Sequence, residues 1–133
     1  MSVGKVYTIV KNDTAARITV QNHEYTDLPE IAGRENTGVQ TGIVHQSQDA
    51  ATKVVKTVIA PYGYLAPHAA PTTVCLYILK GSGEVGNIDN NEKLINKIDF
   101  TAGDTLIFET PMPLHYYKAG SRGAEYIAIV FPN

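Results

Sequence analysis

The sequence predicts an all-β protein, an antiparallel sandwich or barrel, and three observations carry that prediction. Short runs rich in Val, Ile, Thr and Tyr recur along its 133 residues, and turn-forming residues punctuate them. No segment keeps apolar residues at helical spacing for three turns, because Gly or Pro interrupts every candidate. Parallel strands need crossover helices, so their lack leaves antiparallel pairing.

About ten strands are expected. The first two cover residues 5–10 and 16–21, joined at Lys11-Asn12-Asp13, where Asn and Asp tolerate the positive φ of a tight turn. Residues 26–37 are polar, hold Pro29 and Gly33 and do not alternate, which predicts a loop or short helical turn between two sheets of strands. Alternation resumes over 39–46 and 53–60. Strands at 73–80 and 84–88 flank Gly81-Ser82-Gly83, read as a hairpin turn, and Asp89-Asn90-Asn91 leads into 94–100. Gly103-Asp104 precedes 105–109, and Gly120-Ser121-Arg122-Gly123 separates 115–118 from 124–131. Along 73–80, Thr73, Cys75, Tyr77 and Leu79 share one face, and Val74, Leu76, Ile78 and Lys80 the other. Both faces are largely apolar, so this strand is expected to be central, with one side toward an interior and the other toward a second layer or a subunit partner.

Composition narrows the classes. At 44% hydrophobic and 18% charged residues the chain reads as one globular domain over 1–133. Its 11 basic residues are scattered among 13 acidic ones, leaving no electrostatic stripe for phosphates, so nucleic acid is not an expected partner. No apolar stretch approaches the roughly 20 residues that span a bilayer, and MSVGKVYTIV lacks the features of a secretory leader. A soluble, cytoplasmic protein without membrane association is the expectation. Cys75 is the only cysteine, flanked by Val74 and Leu76, and reads as a buried small hydrophobe. No Ser sits in a Gly-x-Ser-x-Gly turn, and no helix follows Gly81-Ser82-Gly83 to make it a phosphate cradle.

Two segments carry the most information: PYGYLAPHAAPTTVCLYILKGSGEV at 61–85, and GDTLIFETPMPLH at 103–115. Together they resemble the two motifs of the cupin superfamily, about 61–85 and 103–119. The resemblance implies an antiparallel jelly-roll β-barrel, or double-stranded β-helix, whose mouth gathers three histidines and a glutamate around Fe, Mn, Ni, Cu or Zn. His68 falls on the first histidine position, Gly81 on the closing glycine and His115 on the second-motif histidine. Ala70 stands at the other histidine position, and Val74, or Cys75 with the spacing stretched by one, at the glutamate position. Ala119 takes the last position, often Asn. The implied cofactor is a divalent transition metal, Fe, Mn or Zn, on an incomplete ligand set.

His45, on the strand before the first motif, completes a His68, His115 and His45 set for zinc or iron if it faces inward. Glu109 is a second candidate, while His23 reads as a solvent-facing turn residue. Without a metal, either His68 or His115 can act as a general base opposite a positioned acid, or the pair can simply hydrogen-bond to each other, a tyrosine or water. Tyr117 shares strand parity with His115 and is the expected acid. The expected catalytic set is therefore His68, His115 and Tyr117, walled by Leu76, Ile78, Phe108 and Met112, while Tyr62 and Tyr64 read as sheet formers. The expected ligand is a small organic molecule in the barrel mouth. Three functional classes stay open: an enzyme, a binding or sensing module that has lost the metal site, and an interaction platform with structural histidines. Apolar ends at Val3, Val6, Ile9, Val130 and Phe131 point to a homodimer.

Overall fold

Glycines that read as turns in the sequence bend strands here instead of ending them. The computed structural model describes residues 2–11 and 16–132, all strand and connection with no helix, so the turn expected at Lys11-Asn12-Asp13 lies partly outside the described residues. Eleven strands follow in order: β1 (Ser2–Lys11), β2 (Ala16–Glu24), β3 (Thr26–Asp27), β4 (Glu30–Ile31), β5 (Arg34–Glu35), β6 (Thr37–Gln46), β7 (Lys53–His68), β8 (Val74–Ile88), β9 (Leu94–Thr101), β10 (Thr105–Phe108) and β11 (Leu114–Val130). Nearly all of the barrel belongs to one antiparallel sheet in the order β10-β8-β11-β7-β6-β3, with β9 on the far half of β8.

The 73–80 and 84–88 runs are one strand, β8, and 115–118 and 124–131 are one strand, β11. Gly81-Ser82-Gly83 is therefore not a hairpin turn. A hairpin would send the chain back along itself, whereas β8 stays paired with β11 on both sides of the glycines, with register slips between Ala119 and Ala124 and between Glu125 and Tyr126. β7 bends alongside, where Tyr62 takes φ +57°. These aligned corners let β7, β8 and β11 contribute to both halves of a curved barrel.

Gly81 and Gly123 hold φ of +78° and +74°. A Cβ on Gly123 would lie 2.7 Å from the Ile59 carbonyl oxygen, and one on Gly81 would run into the Gly123 carbonyl. Gly123→Ala is expected to cost about 2–4 kcal/mol by combining left-handed strain with backbone collision. Gly103→Ala, at φ +95° but with open space around it, is expected to cost about 1 kcal/mol. Urea midpoints at unchanged slope measure both. Equal losses would show that the corner is not tightly packed.

β8 is central, as expected, between β10 and β11. Val74, Leu76 and Ile78 are buried, and the opposite face leaves Tyr77 46% exposed. Asp89-Asn90-Asn91 does reverse the chain, with the Asp89 N–H donating to the Lys93 carbonyl and β9 pairing back on β8. Residues 26–37 form no helical turn; three two-residue strands lie there, and Leu28 and Ile31 pack on the core. No helix of the described residues is long and apolar enough to cross a membrane.

Candidate functional site

His68 ends β7 and His115 is the second residue of β11, and the ladder sets them directly opposite each other. Two histidines 47 positions apart thus become cross-strand neighbours, with ring centroids 4.7 Å apart. Period-two alternation then brings Tyr117 to the same side as His115, 5.3 Å away edge-on, and 6.1 Å from His68. Phe108 stacks on the His115 ring at 4.1 Å with an interplanar angle of 16°.

Each imidazole is oriented by its own backbone. Nδ1 of His68 lies 2.8 Å from the Ala66 carbonyl oxygen, and Nδ1 of His115 lies 3.1 Å from that of Pro113. A carbonyl only accepts, so Nδ1 is the protonated nitrogen in both rings and Nε2 carries the lone pair. Burial lowers the pKa of His68, and lowers that of His115 to about 4 with the neighbouring His68 adding to the fall. Both rings are neutral at pH 7. Burial raises the Tyr117 pKa well above 10, with Tyr126 nearby reinforcing the shift, so its phenol keeps its proton.

These three side chains line a cavity of about 240 Å³. Leu76 and Met112 wall it as expected, joined by Leu65, Tyr126 and Thr57. Of the other expected wall residues, Ile78 is sealed in the core at 0% exposure, and Phe108 lies behind His115 and lines a separate groove. Leu28 and Ile31, from the stretch that reads as a loop, also reach the cavity. Their signal was two apolar residues at a spacing of three in a polar run. Among the lining residues there is no carboxylate, ammonium or guanidinium.

The metal expectation fares differently. Ala70 and Val74, at the positions where the resemblance places a histidine and a glutamate, both line the cavity as hydrocarbon. Cys75 lies on the other face of β8. His45 is exposed on β6 and does not line the cavity, because beyond Thr41 that face of the strand has left the barrel interior, Ile43 being 44% exposed already. Glu109 is exposed and lines the groove beyond β10. His23, on β2, lies away from the cavity. Among the described residues no group of three His, Cys, Asp or Glu side chains is placed to hold a metal ion. Two imidazole nitrogens fall short of the three or four protein donors that Zn or Fe sites use, so the residues present do not fit the implied metal. EDTA is accordingly expected to leave the thermal midpoint unchanged, while an Ala70→His/Val74→Glu variant, with four donors, gains a chelator-sensitive midpoint. A chelator-sensitive parent would contradict this reading.

The fold defines a barrel of the jelly-roll class, with the two histidines lining its cavity. A cupin profile matches residues 32–131, and the chain belongs to the cupin family. No curated protein matches it in sequence. Among solved structures it is similar to a cupin 2 conserved barrel domain protein from Rhodopseudomonas palustris, at 15% identity and TM-score 0.65, over 82% of this chain and 71% of that one. It is also similar to the polyketide cyclase RemF from Streptomyces resistomycificus, at 14% identity and TM-score 0.64, over 80% and 72%. An oxalate decarboxylase of Bacillus subtilis, described for its Mn(II) centres, matches at 19% identity and TM-score 0.61 over 74% of this chain but only 27% of that one. At these identities the likeness is one of fold.

Proposed function

We propose that the barrel binds a small, uncharged organic molecule with acidic O–H or activated C–H groups, which His68 and His115 accept through Nε2. The observation that carries this is a cavity with two neutral lone-pair nitrogens and no charged side chain among its lining residues. A carboxylate ligand entering it would lose its hydration with no cation to meet it, at a cost of several kcal/mol. A neutral phenol or 1,3-diketone supplies the donors that the imidazoles lack. The volume suits a single substituted ring, since a cavity of roughly 150 Å³ already takes benzene.

Turnover on this arrangement is a proton relocation. One Nε2 removes a proton from an activated carbon or hydroxyl, Tyr117 donates a hydrogen bond to the oxyanion that forms, and the imidazolium returns the proton elsewhere. No atom is gained and no redox partner is needed. A second reading, binding without turnover, is favoured by one observation: a histidine lowered to about 4 is a weak base. In both readings the chain acts as a homodimer in the cytoplasm, since exposed apolar strands such as β1 require cover.

Thermal-shift titration with resorcinol and acetylacetone, set against benzoate and oxalate, tests the proposal. The neutral probes are expected to raise the midpoint, by about 2.7 kcal/mol of stabilisation at a hundred times their Kd. His68→Phe and His115→Phe are each expected to weaken them at least about tenfold, the loss of one or more hydrogen bonds. Preferential stabilisation by the anions would overturn the reading. NMR of the bound diketone separates turnover from binding through exchange of its central C–H with deuterated solvent.

A further inference from the structure

The end of β7 departs from its ladder just where the site needs it. Leu65 pairs with Tyr117 and His68 with His115, so three steps along β7 answer two along β11. The extra step is a bulge at Ala66 and Pro67, and proline brings no N–H to it. β6 stops pairing with β7 at Thr37, opposite Tyr64. Side chains from residues 34–36 take over from there. The Ala66 N–H donates to Asn36 Oδ1 at 2.8 Å, and the Pro67 carbonyl accepts from Arg34 Nη1 at 3.2 Å. Arg34 is itself held by Glu92, 2.8 Å from Nη2. Between these two grips lies the Ala66 carbonyl, the acceptor for Nδ1 of His68.

Asn36 is fixed on both sides of its amide. A backbone N–H only donates and a carbonyl only accepts, so Oδ1 must face Ala66 and Nδ2 must face the Leu28 carbonyl, 3.1 Å away. A flipped amide would lose both bonds. The backbone adds two more ties: the Asn36 N–H donates to the Pro29 carbonyl and the Leu28 N–H to that of Val39, each at 2.9 Å. Leu28, on the cavity wall, is therefore tied through one half-buried amide to the peptide that orients His68.

We propose that Asn36 is the positioning residue that sets which tautomer of His68 the cavity meets: by holding the Ala66 peptide it keeps the proton on Nδ1 and the lone pair on Nε2. A neutral imidazole carries its proton on either nitrogen, and the hydrogen bond to the Ala66 carbonyl is what separates the two forms here. Ala66 is 1% exposed. Without Asn36 its N–H is left buried and unpaired, and the peptide turns to find a partner, taking its carbonyl away from Nδ1. The ring then offers the cavity an N–H in place of a lone pair, and a ligand donor meets a donor. His115 does not depend on this link, because its carbonyl comes from Pro113. This role for Asn36 rests on the acceptor reading of Nε2 above.

Two variants of the full chain test it, with circular dichroism to check folding. Asn36→Leu removes both amide bonds at similar volume, and Asn36→Asp keeps an acceptor for the Ala66 N–H. Long-range proton–nitrogen spectra at pH 7 are expected to show the parent His68 with its proton on Nδ1. In Asn36→Leu His68 becomes a mixture of tautomers while His115 is unchanged, and in Asn36→Asp His68 is as in the parent. Resorcinol should bind the Leu variant at least about tenfold more weakly, and the Asp variant within about threefold of the parent. Should the Leu variant fail to fold, Asn36→Ser, whose hydroxyl is too short to reach Ala66, is read the same way. An unchanged His68 in the Leu variant, an equal disturbance of His115, or loss of the Nδ1 proton in the Asp variant overturns the role of Asn36. A parent His68 with its proton on Nε2 overturns the acceptor reading with it. Spectra as expected but no resorcinol binding to the parent would overturn the proposed ligand and leave the role of Asn36 supported.

Discussion

Tyr117→Ala is expected to cost about 3–5 kcal/mol, enough to leave much of the protein unfolded near 37 °C. The ring is 1% exposed and touches Phe100, Phe108, His115 and Tyr126, so its removal leaves a void that four rings cannot collapse into. Tyr117→Phe is the informative companion. Phe keeps the ring and its packing, so loss of the hydroxyl alone is expected to change stability by about 1 kcal/mol. It should still weaken a bound diketone, whose enol oxygen the hydroxyl would otherwise meet. Guanidinium unfolding of both variants, with probe titration of the second, checks the pair. A Phe variant as damaged as the Ala variant would mean that the hydroxyl is structural.

Acid is expected to unfold this protein through its two facing histidines before its carboxylates are titrated. An unfolded histidine takes up a proton below about pH 6.5, whereas folded His115 stays neutral down to about 4. Between those values the unfolded state binds the extra proton, so stability falls as the pH drops through that window and levels off below it. The loss from His115 is on the order of 3 kcal/mol, and His68, lowered in the same direction, adds to it. His115→Gln removes the His115 share. Chemical unfolding from pH 7 to pH 4 should give a shallower stability curve for the variant than for the parent. Parallel curves would show that burial does not hold that imidazole neutral.

The barrel was legible because period-two alternation and turn chemistry are local signals. The continuity of β8 and β11 was not, because a glycine cluster looks alike in sequence whether the chain reverses or bends, and only pairing with a neighbour decides. Gly81-Ser82-Gly83 bends and Asp89-Asn90-Asn91 reverses, although both offer residues suited to positive φ. At the site, parity placed Tyr117 beside His115, and the motif positions placed Ala70 and Val74 at the cavity. His45 lies near the end of β6 and Glu109 just beyond β10, where facing inward depends on how far the surrounding strands continue, information the local sequence does not carry. Leu28 and Ile31 escaped notice because a polar connection gives no period from which to read an inward face. The neutral state of the histidines was equally hidden, since it arises from burial and from the carbonyls of Ala66 and Pro113.

Ligand recognition in this barrel requires the Nε2 atoms of His68 and His115 to be lone-pair acceptors in a cavity without charge. Long-range proton–nitrogen correlation spectra of the imidazoles read this directly, at pH 7 and then titrated toward pH 4, with and without resorcinol. The expected result is a neutral ring at both positions with the proton on Nδ1, His115 unprotonated until about pH 4, and resorcinol shifting Nε2 of these two histidines but not of His23 or His45. A protonated imidazole at pH 7, or a proton on Nε2, would contradict it.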